Sequence, residues 1–123
     1  MDKPHKKLDV WRLSIELSKK IYLLMNGFPS EEKFGLVSQM RRAAVSIPSN
    51  LAEGAARSSR NEFRNFVSIA RGSLSELDTQ LDLSQQLGFV TDKVRTEVDK
   101  LLVRVDKMLY ALHRSKGREG ARS

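Results

Sequence analysis

Four stretches of this chain repeat apolar residues at three- and four-residue steps, and this periodicity limits the fold more than any other feature. Such spacing places the apolar side chains of each stretch on one side of an α-helix. The four sets are Val10, Leu13, Leu17, Ile21 and Leu24; Leu36, Met40, Ala43, Ile47 and Leu51; Phe63, Phe66, Val67, Ala70, Leu74, Leu77 and Leu81; and Val94, Val98, Leu101, Val105, Met108 and Leu112. Because short turns join the four helices, the pattern predicts an all-α fold, an up-and-down antiparallel four-helix bundle.

Residues typical of helix ends separate the four stretches. Asp9 is the predicted N-cap of the first helix, and Ser30, followed by two glutamates, begins the second. A Ser-x-x-Glu capping box at Ser59 begins the third helix, and Gly88 ends it. Thr91 is the predicted cap of the fourth. We therefore expect one domain over residues 1–123, with a core at about 8–112 and a basic, flexible tail over 113–123.

The amino-acid composition indicates the cellular compartment. The chain contains no cysteine, which excludes disulfides and thiolate metal sites and favours a reducing cytoplasm. No run of about eighteen apolar residues is present, and the first twenty residues are interrupted by charge. We expect a soluble, cytoplasmic protein with no membrane partner.

The stretch SIPSNLAEGAARS, residues 46–58, contains a proline within helical spacing. Pro48 removes a backbone donor and crowds the carbonyl four residues before it, so we predict that the second helix is kinked there. A split is disfavoured because Ile47 has no side-chain acceptor to serve as a new N-cap. Asn50 or Glu53 could satisfy the backbone groups that Pro48 leaves free.

Catalytic and metal-binding patterns are lacking. The two histidines, His5 and His113, have no second ligand at helical spacing, and no phosphate-binding glycine pattern follows a strand. A polar cluster near the proline lacks a base to activate a nucleophile; its members are Ser46, Ser49, Asn50 and Glu53. We expect a protein that is not an enzyme, with no catalytic residues, no metal, no cofactor and no small-molecule substrate.

The basic residues suggest an anionic partner. The formal net charge is +7, and every basic residue between Lys33 and Lys93 is an arginine. The planar guanidinium suits two-point contact with phosphate, and it also suits ion pairs at protein interfaces. The candidate residues for binding RNA or DNA are Arg41, Arg42, Arg57, Arg60, Arg64 and Arg71.

Three of these arginines share one ridge of the third helix with two acids. Arg60, Arg64 and Arg71 fall within about 40° of one another beside the apolar stripe, and Asp78 and Asp82 continue the ridge. Basic and acidic ends of one ridge could pair two copies of the chain. Pairing between copies and phosphate binding are both compatible with this pattern.

The first helix has a second apolar stripe, formed by Trp11, Ile15 and Tyr22, about 120° from the first. A peripheral helix cannot bury both stripes within one bundle. An aromatic stripe is typical of an interface core, so these residues are the candidate surface for self-association. A membrane-surface face and a wide core face are the alternatives.

Several motifs resemble one family. LDVW at 8–11, FPSEE at 28–32, SQMRRAAVSIPSNLAEGAAR at 38–57 and ARGSLSELDTQL at 70–81 resemble the 23S rRNA intervening sequence proteins, which are bacterial. The accessory variability proteins of diversity-generating retroelements, which bind reverse transcriptase and nucleic acid, are a related branch. The resemblance covers residues 8–112.

This resemblance implies an antiparallel bundle that assembles into a homopentamer with a basic surface in contact with RNA, and it implies no catalytic activity. The family pattern includes Arg41, Arg42, Arg57 and Arg71, whereas Arg60 and Arg64 lie where the pattern is looser. RNA binding is the leading hypothesis. The alternative is a protein-interaction scaffold whose basic surface binds an acidic partner such as a polymerase.

Overall fold

The computed structural model describes the backbone of residues 1–122 and the side chains of residues 1–115. Four α-helices make up the fold: α1 (Asp9–Met25), α2 (Leu36–Ala55), α3 (Arg60–Gln86) and α4 (Asp92–Arg122). Short 3-10 helices at Pro4–Lys7 and Ser30–Glu32 precede α1 and α2. No strand occurs within residues 1–122, so the predicted all-α class is confirmed.

The helices pack in a closed four-membered ring. Each helix contacts its neighbours in the chain, and α4 returns to pack on α1. Between α2 and α3, Met40 lies near Ser84, Ser46 near Ser73 and Gly54 near Phe66. As the residue number rises along α2, the number of the contacting residue on α3 falls. The predicted up-and-down antiparallel arrangement is therefore confirmed for this pair, and the short turns impose the same alternation elsewhere.

One apolar core fills the centre of the ring. Leu17 and Ile21 of α1, Leu51 of α2, Leu77 of α3 and Leu109 of α4 are all fully buried within it. Burial of a leucine or isoleucine side chain contributes roughly 1.5–3 kcal/mol each, so these positions hold the bundle together. The apolar set predicted for the core side of α4 is incomplete, because Leu102 and Leu109 are also buried there. Because α4 packs on both α3 and α1, it needs a wider apolar face than a single seam.

Three of the predicted helix ends are confirmed at atomic detail. The Ser59 hydroxyl accepts a hydrogen bond from the Glu62 N–H at 3.3 Å, and the Thr91 hydroxyl accepts one from the Val94 N–H at 3.2 Å. Gly88 adopts a φ of 83°, which L side chains rarely adopt, and the next N–H, that of Phe89, returns to the Ser84 carbonyl at 2.9 Å. These turns follow the local sequence because each involves residues only a few positions apart.

The starts of α1 and α2 differ from the prediction. Asp9 is the first helical residue instead of the N-cap, and its carboxylate pairs with Arg12. Ser30 opens only a 3-10 turn, after which α2 begins at Leu36. The Glu32 carboxylate accepts the Leu36 N–H at 3.3 Å, so a residue four positions upstream satisfies this end of α2.

Helix α2 continues through Pro48, which excludes a split; a bend at this residue stays a prediction. Pro48 cannot donate to the Ala44 carbonyl, as a residue at its position normally would. Instead, the Ser18 hydroxyl of α1 lies 2.9 Å from the Ala44 oxygen and shares its one hydrogen between that oxygen and the Ser14 carbonyl of α1, also at 2.9 Å. Asn50, one predicted partner, donates through Nδ2 to the Ser46 carbonyl at 2.8 Å instead. The expected role of Asn50 and Glu53 was wrong, because the freed carbonyl faces α1.

This contact makes a prediction about Ser18. We expect Ser18→Ala to lower the free energy of unfolding by about 1–2 kcal/mol, because it leaves a buried carbonyl without a donor. In a Pro48→Ala background the restored N–H can serve Ala44, and the same change should cost under about 0.5 kcal/mol. Urea unfolding of the four proteins measures the difference.

Thr79→Ala is the control for the loss of a hydroxyl. The Thr79 hydroxyl is exposed and donates to the Ser75 carbonyl at 3.0 Å, within a helix that contains no proline. We expect its removal to change stability by less than about 0.5 kcal/mol. Equal costs of Ser18→Ala in the two backgrounds would contradict the assigned role.

At the other end of the chain, α4 extends to Arg122 and so includes most of the segment that we predicted as a tail. Side chains from residue 116 onward, and Ser123 entirely, lie outside the described residues. The flexibility of residues 113–123 stays a prediction. Within the described residues, no helix is both long and apolar enough to cross a membrane.

Candidate nucleic-acid interface

Arg41 and Arg42 lie on the surface formed by α1 and α2. The Arg41 guanidinium stacks over the Tyr22 ring, 5.2 Å from its centroid. Arg42 donates to the Ser38 hydroxyl at 3.4 Å, a long and weak bond. Both side chains are exposed, and Tyr22 and Val45 line an open groove with them. This groove combines two cations with an apolar floor.

The candidate self-association stripe borders the same groove. Ile15 and Tyr22 are 43% and 39% exposed, and Val45 on α2 is 42% exposed. Trp11 is half-buried, packs on the core and meets the His5 ring edge-on at a centroid distance of 4.8 Å. The chain thus covers part of Trp11 itself and leaves the other two residues of the stripe more open.

Arg57 and Arg60 lie at the turn between α2 and α3. Arg57 pairs with Glu53 at 3.2 Å, as predicted by their spacing, and its guanidinium stacks on Phe66 at 5.2 Å. Both arginines border a cleft of about 260 Å³ at this end of the bundle. The cleft is completed by Pro4, Leu8, Ala55, Ser58, Ser59 and Phe63.

Arg64 and Arg71 lie on the opposite side of the bundle from Arg41, where α3 faces α4. Arg71 is half-buried, and its guanidinium stacks over Tyr110 of α4 at 5.1 Å. The Nε atom of Arg71 is buried and finds no hydrogen-bond acceptor among the described residues. His113 of α4 is close enough to Arg64 and Arg71 for their charges to act on it.

The pKa of His113 reflects this surrounding. Burial lowers its pKa from the ordinary 6.5, and the positive charges of Arg64 and Arg71 lower it further. The folded chain therefore binds this proton less readily than the unfolded chain. The free energy of unfolding should therefore decrease as the pH falls below about 6.5, the ordinary pKa of histidine, and through the lower pKa of His113 in the folded chain.

A separate ion cluster joins α3 and α4 on the same side. The Arg95 guanidinium is buried and meets Asp78 at 2.5 Å, Asp82 at 3.1 Å and Asp99 at 3.0 Å. Burial alone lowers the pKa of Arg95, but hydrogen bonds to Asp78 and Asp82 and the charges of Asp99 and Asp78 outweigh it and raise the pKa. The acidic end of the α3 ridge is thus engaged within the subunit.

The polar residues near Pro48 serve α2 and α3 packing. The Ser46 and Ser73 hydroxyls are 2.7 Å apart across the two helices, and Asn50 Nδ2 donates to the Ser46 hydroxyl at 2.9 Å. The Glu53 carboxylate forms an ion pair with Arg57. Ser46 and Asn50 therefore belong to an inter-helix contact and Glu53 to a surface ion pair, whereas Ser49 is exposed and lines the groove with Arg41 and Arg42.

The six candidate arginines thus fall in three places: the α1 and α2 groove, the α2 to α3 turn, and the α3 and α4 side. The spacing within α3 grouped Arg60, Arg64 and Arg71; the charges of Arg64 and Arg71 both act on His113, whereas Arg60 borders the cleft at the α2 to α3 turn. The sequence analysis missed Tyr110 and His113 as neighbours of these two arginines, and it missed Arg95 as the partner of Asp78 and Asp82. An arginine four residues before Asp99, on the core side of α4, was the available signal for Arg95.

Comparison with known proteins agrees with this architecture. A crystal structure of a protein of unknown function from the S23 ribosomal protein family of Bacteroides thetaiotaomicron VPI-5482 superposes with a TM-score of 0.79. The two chains are 24% identical, and the match covers 85% of this chain and 95% of the other. At that identity the likeness shows the fold alone. Among curated proteins, none matches this chain.

A family profile gives the assignment. The profile described as 23S rRNA-intervening sequence protein matches residues 6–111, a span that includes α1, α2, α3, the part of α4 up to residue 111 and every candidate arginine. The match agrees with the resemblance of the motifs at 8–11, 28–32, 38–57 and 70–81. The chain belongs to the family of 23S rRNA-intervening sequence proteins.

Proposed function

We propose that this protein is a non-enzymatic, self-associating helical bundle that binds RNA through phosphate contacts at exposed arginines. One observation carries the proposal: among the described side chains, Arg41, Arg42, Arg64 and Arg71 pair with no carboxylate. Arg12, Arg57 and Arg95, by contrast, each have acidic partners. Charges that the fold does not use internally are available to an anionic partner.

The aromatic neighbours of these arginines favour RNA over a simple polyanion. Arg41 and Arg71 lie over tyrosine rings, and both Tyr22 and Tyr110 are partly exposed. Unpaired RNA bases stack on aromatic rings and on guanidinium planes, while phosphates bind the cationic edge. A single-stranded segment could satisfy both groups at once.

Self-association supports the same function. The exposed apolar residues Tyr22 and Val45 line the groove with Arg41, and Ile15 is exposed on the same stripe of α1 as Tyr22. Such a mixture of apolar and arginine side chains is typical of protein interfaces. A homopentamer, which the family resemblance implies, would carry five times the charge of +7 on one particle. Pooled charge and repeated sites raise both the encounter rate and the overall affinity for a long RNA.

Fluorescence anisotropy with a labelled single-stranded RNA, at 50 to 200 mM salt, tests RNA binding. We expect the logarithm of the affinity to fall linearly with the logarithm of salt concentration, with a slope of about −0.7 per phosphate contacted. Native mass spectrometry with and without the RNA reports the number of subunits in the same complex.

Each part of the proposal has its own contradictory result. Absence of binding at 50 mM salt, or affinity independent of salt, would remove RNA as the partner. A single subunit at high protein concentration would remove self-association. Retention of an acidic protein from nuclease-treated lysate, without RNA binding, would favour the scaffold alternative.

A further inference from the structure

The side of the bundle where α3 faces α4 contains a cationic site that the internal packing leaves unsatisfied. Arg64 and Arg71 project from one ridge of α3, seven residues and therefore about two turns apart. His113 and Tyr110 approach them from α4. The four side chains place three nitrogen-bearing groups and one aromatic ring around a single stretch of surface.

From these contacts we infer that Arg64, Arg71 and His113 bind a phosphate group of single-stranded RNA, and that Tyr110 lies beside the adjoining base. The inference rests on the proposed function and narrows it to one of the three arginine groups. Guanidinium and imidazolium donors both form charge-assisted hydrogen bonds with phosphate oxygens. The stacking of Arg71 on Tyr110 orients the guanidinium before the ligand arrives.

The contrast with Arg95, on the same pair of helices, supports this assignment. Arg95 is buried and has three carboxylates within 3.1 Å, so its charge is neutralised locally. Arg71 has no carboxylate partner among the described side chains, and its buried Nε lacks an acceptor. Burying part of a guanidinium against an aromatic ring, with no carboxylate to pair with it, lowers stability, so packing alone does not explain this arrangement. An external anion provides the missing acceptors for its remaining donors.

The other two arginine groups fit a phosphate less well. Arg57 is already paired with Glu53, and Arg41 borders the apolar groove that we assign to self-association. The α3 and α4 site therefore has the strongest concentration of unneutralised donors.

Protonation of His113 provides a direct probe of occupancy. From α3 it faces the charges of Arg64 and Arg71, with Arg60 farther along the same ridge. On its own helix it has Tyr110 and Arg114 as neighbours. From the α1 side, Lys7 and Asp9 border the adjacent groove at Ala111 and Leu112. An anion bound between the arginines would cancel part of the repulsion and raise the pKa of His113.

The experiment uses the full chain and follows the His113 ring resonances by NMR from pH 5 to 8. One arm adds inorganic sulfate, which remains a dianion throughout this range, against chloride at equal ionic strength. A second arm adds a short oligouridylate. We expect both to raise the measured pKa of His113, and the oligouridylate to do so at lower concentration. A pKa of His113 that neither addition moves would overturn the site.

A pair of double variants tests the site independently. We expect Arg64→Gln with Arg71→Gln to weaken oligouridylate binding at least about tenfold at 0.15 M salt and to lower the salt slope by about 0.7, the share of the one phosphate that the site binds. Lys93→Gln with Lys100→Gln removes the same charge from exposed positions of α4 outside all three arginine groups and should leave the salt slope within about 0.3. Thermal unfolding confirms that both variants fold.

The results separate the site from the proposed function. If RNA does not bind but sulfate raises the pKa of His113, the anion site stands and RNA is not its ligand. If RNA binds the Arg64 and Arg71 variant with native affinity, RNA binding stands and this site is overturned. If Arg41→Gln with Arg42→Gln weakens oligouridylate binding more than the Arg64 and Arg71 variant does, the α1 and α2 groove replaces this site.

Discussion

Replacement of Arg95 by methionine is expected to destabilise the bundle by about 2–3 kcal/mol. The change keeps most of the buried side-chain volume but removes the charge that Asp78, Asp82 and Asp99 share. Breaking a fully buried ion pair costs about 3–5 kcal/mol. Here the three carboxylates are roughly half-exposed, so water recovers part of the loss. Urea or thermal unfolding measures the difference.

Arg104→Met is the matched control, because Arg104 is an exposed arginine on the same helix. We expect that change to alter stability by less than about 0.5 kcal/mol. Adding Asp82→Asn to the Arg95→Met protein should recover part of the lost stability, since it reduces repulsion among the remaining acids. Similar effects of Arg95→Met and Arg104→Met would show that the cluster does not hold α3 and α4 together.

Alanine at Gly54 and alanine at Gly72 are expected to have opposite effects. A Cβ at Gly54 would lie 2.7 Å from the Cβ of Phe66 and 3.5 Å from the Phe63 carbonyl oxygen. Because the Cβ of Phe66 is fixed to the α3 backbone, it can yield only if the helices separate. Overpacking costs typically 1–3 kcal/mol, against a helical gain of about 0.5–1 kcal/mol for replacing glycine.

At Gly72 an added Cβ would meet no atom within 4 Å, among the described residues, so only the helical gain remains. We expect Gly72→Ala to stabilise the protein by about 0.5–1 kcal/mol and Gly54→Ala to destabilise it by about 1–2 kcal/mol. Denaturant midpoints of the two variants give the sign directly. Stabilisation by both substitutions would mean that α2 and α3 can separate at this point without cost.

Local signals in the sequence predicted much of this fold. The caps at Ser59 and Thr91 and the turn at Gly88 depend on residues a few positions away, so the chain itself specifies them. The start of α2 was missed because Glu32 satisfies its first amide from within a preceding 3-10 turn. Such an arrangement has no simple periodic signature.

Contacts between helices were harder to anticipate. Helical spacing grouped Arg64 with Arg71, but it could not show that α4 brings Tyr110 and His113 to the same place. Likewise, the spacing within α3 left Asp78 and Asp82 available to pair with a second copy of the chain, but Arg95 of α4 forms ion pairs with both. Which residues of two helices meet depends on packing angle and vertical offset, and periodicity within one helix reports neither.

The link between Ser18 and the Ala44 carbonyl has a consequence for how the chain folds. A peptide of α2 alone would have an unsatisfied carbonyl beside Pro48, and in water it should be helical on either side of that point more readily than across it. Docking of α1 supplies the missing donor through the Ser18 hydroxyl. The proline thereby makes the folding of this part of α2 dependent on the docking of α1.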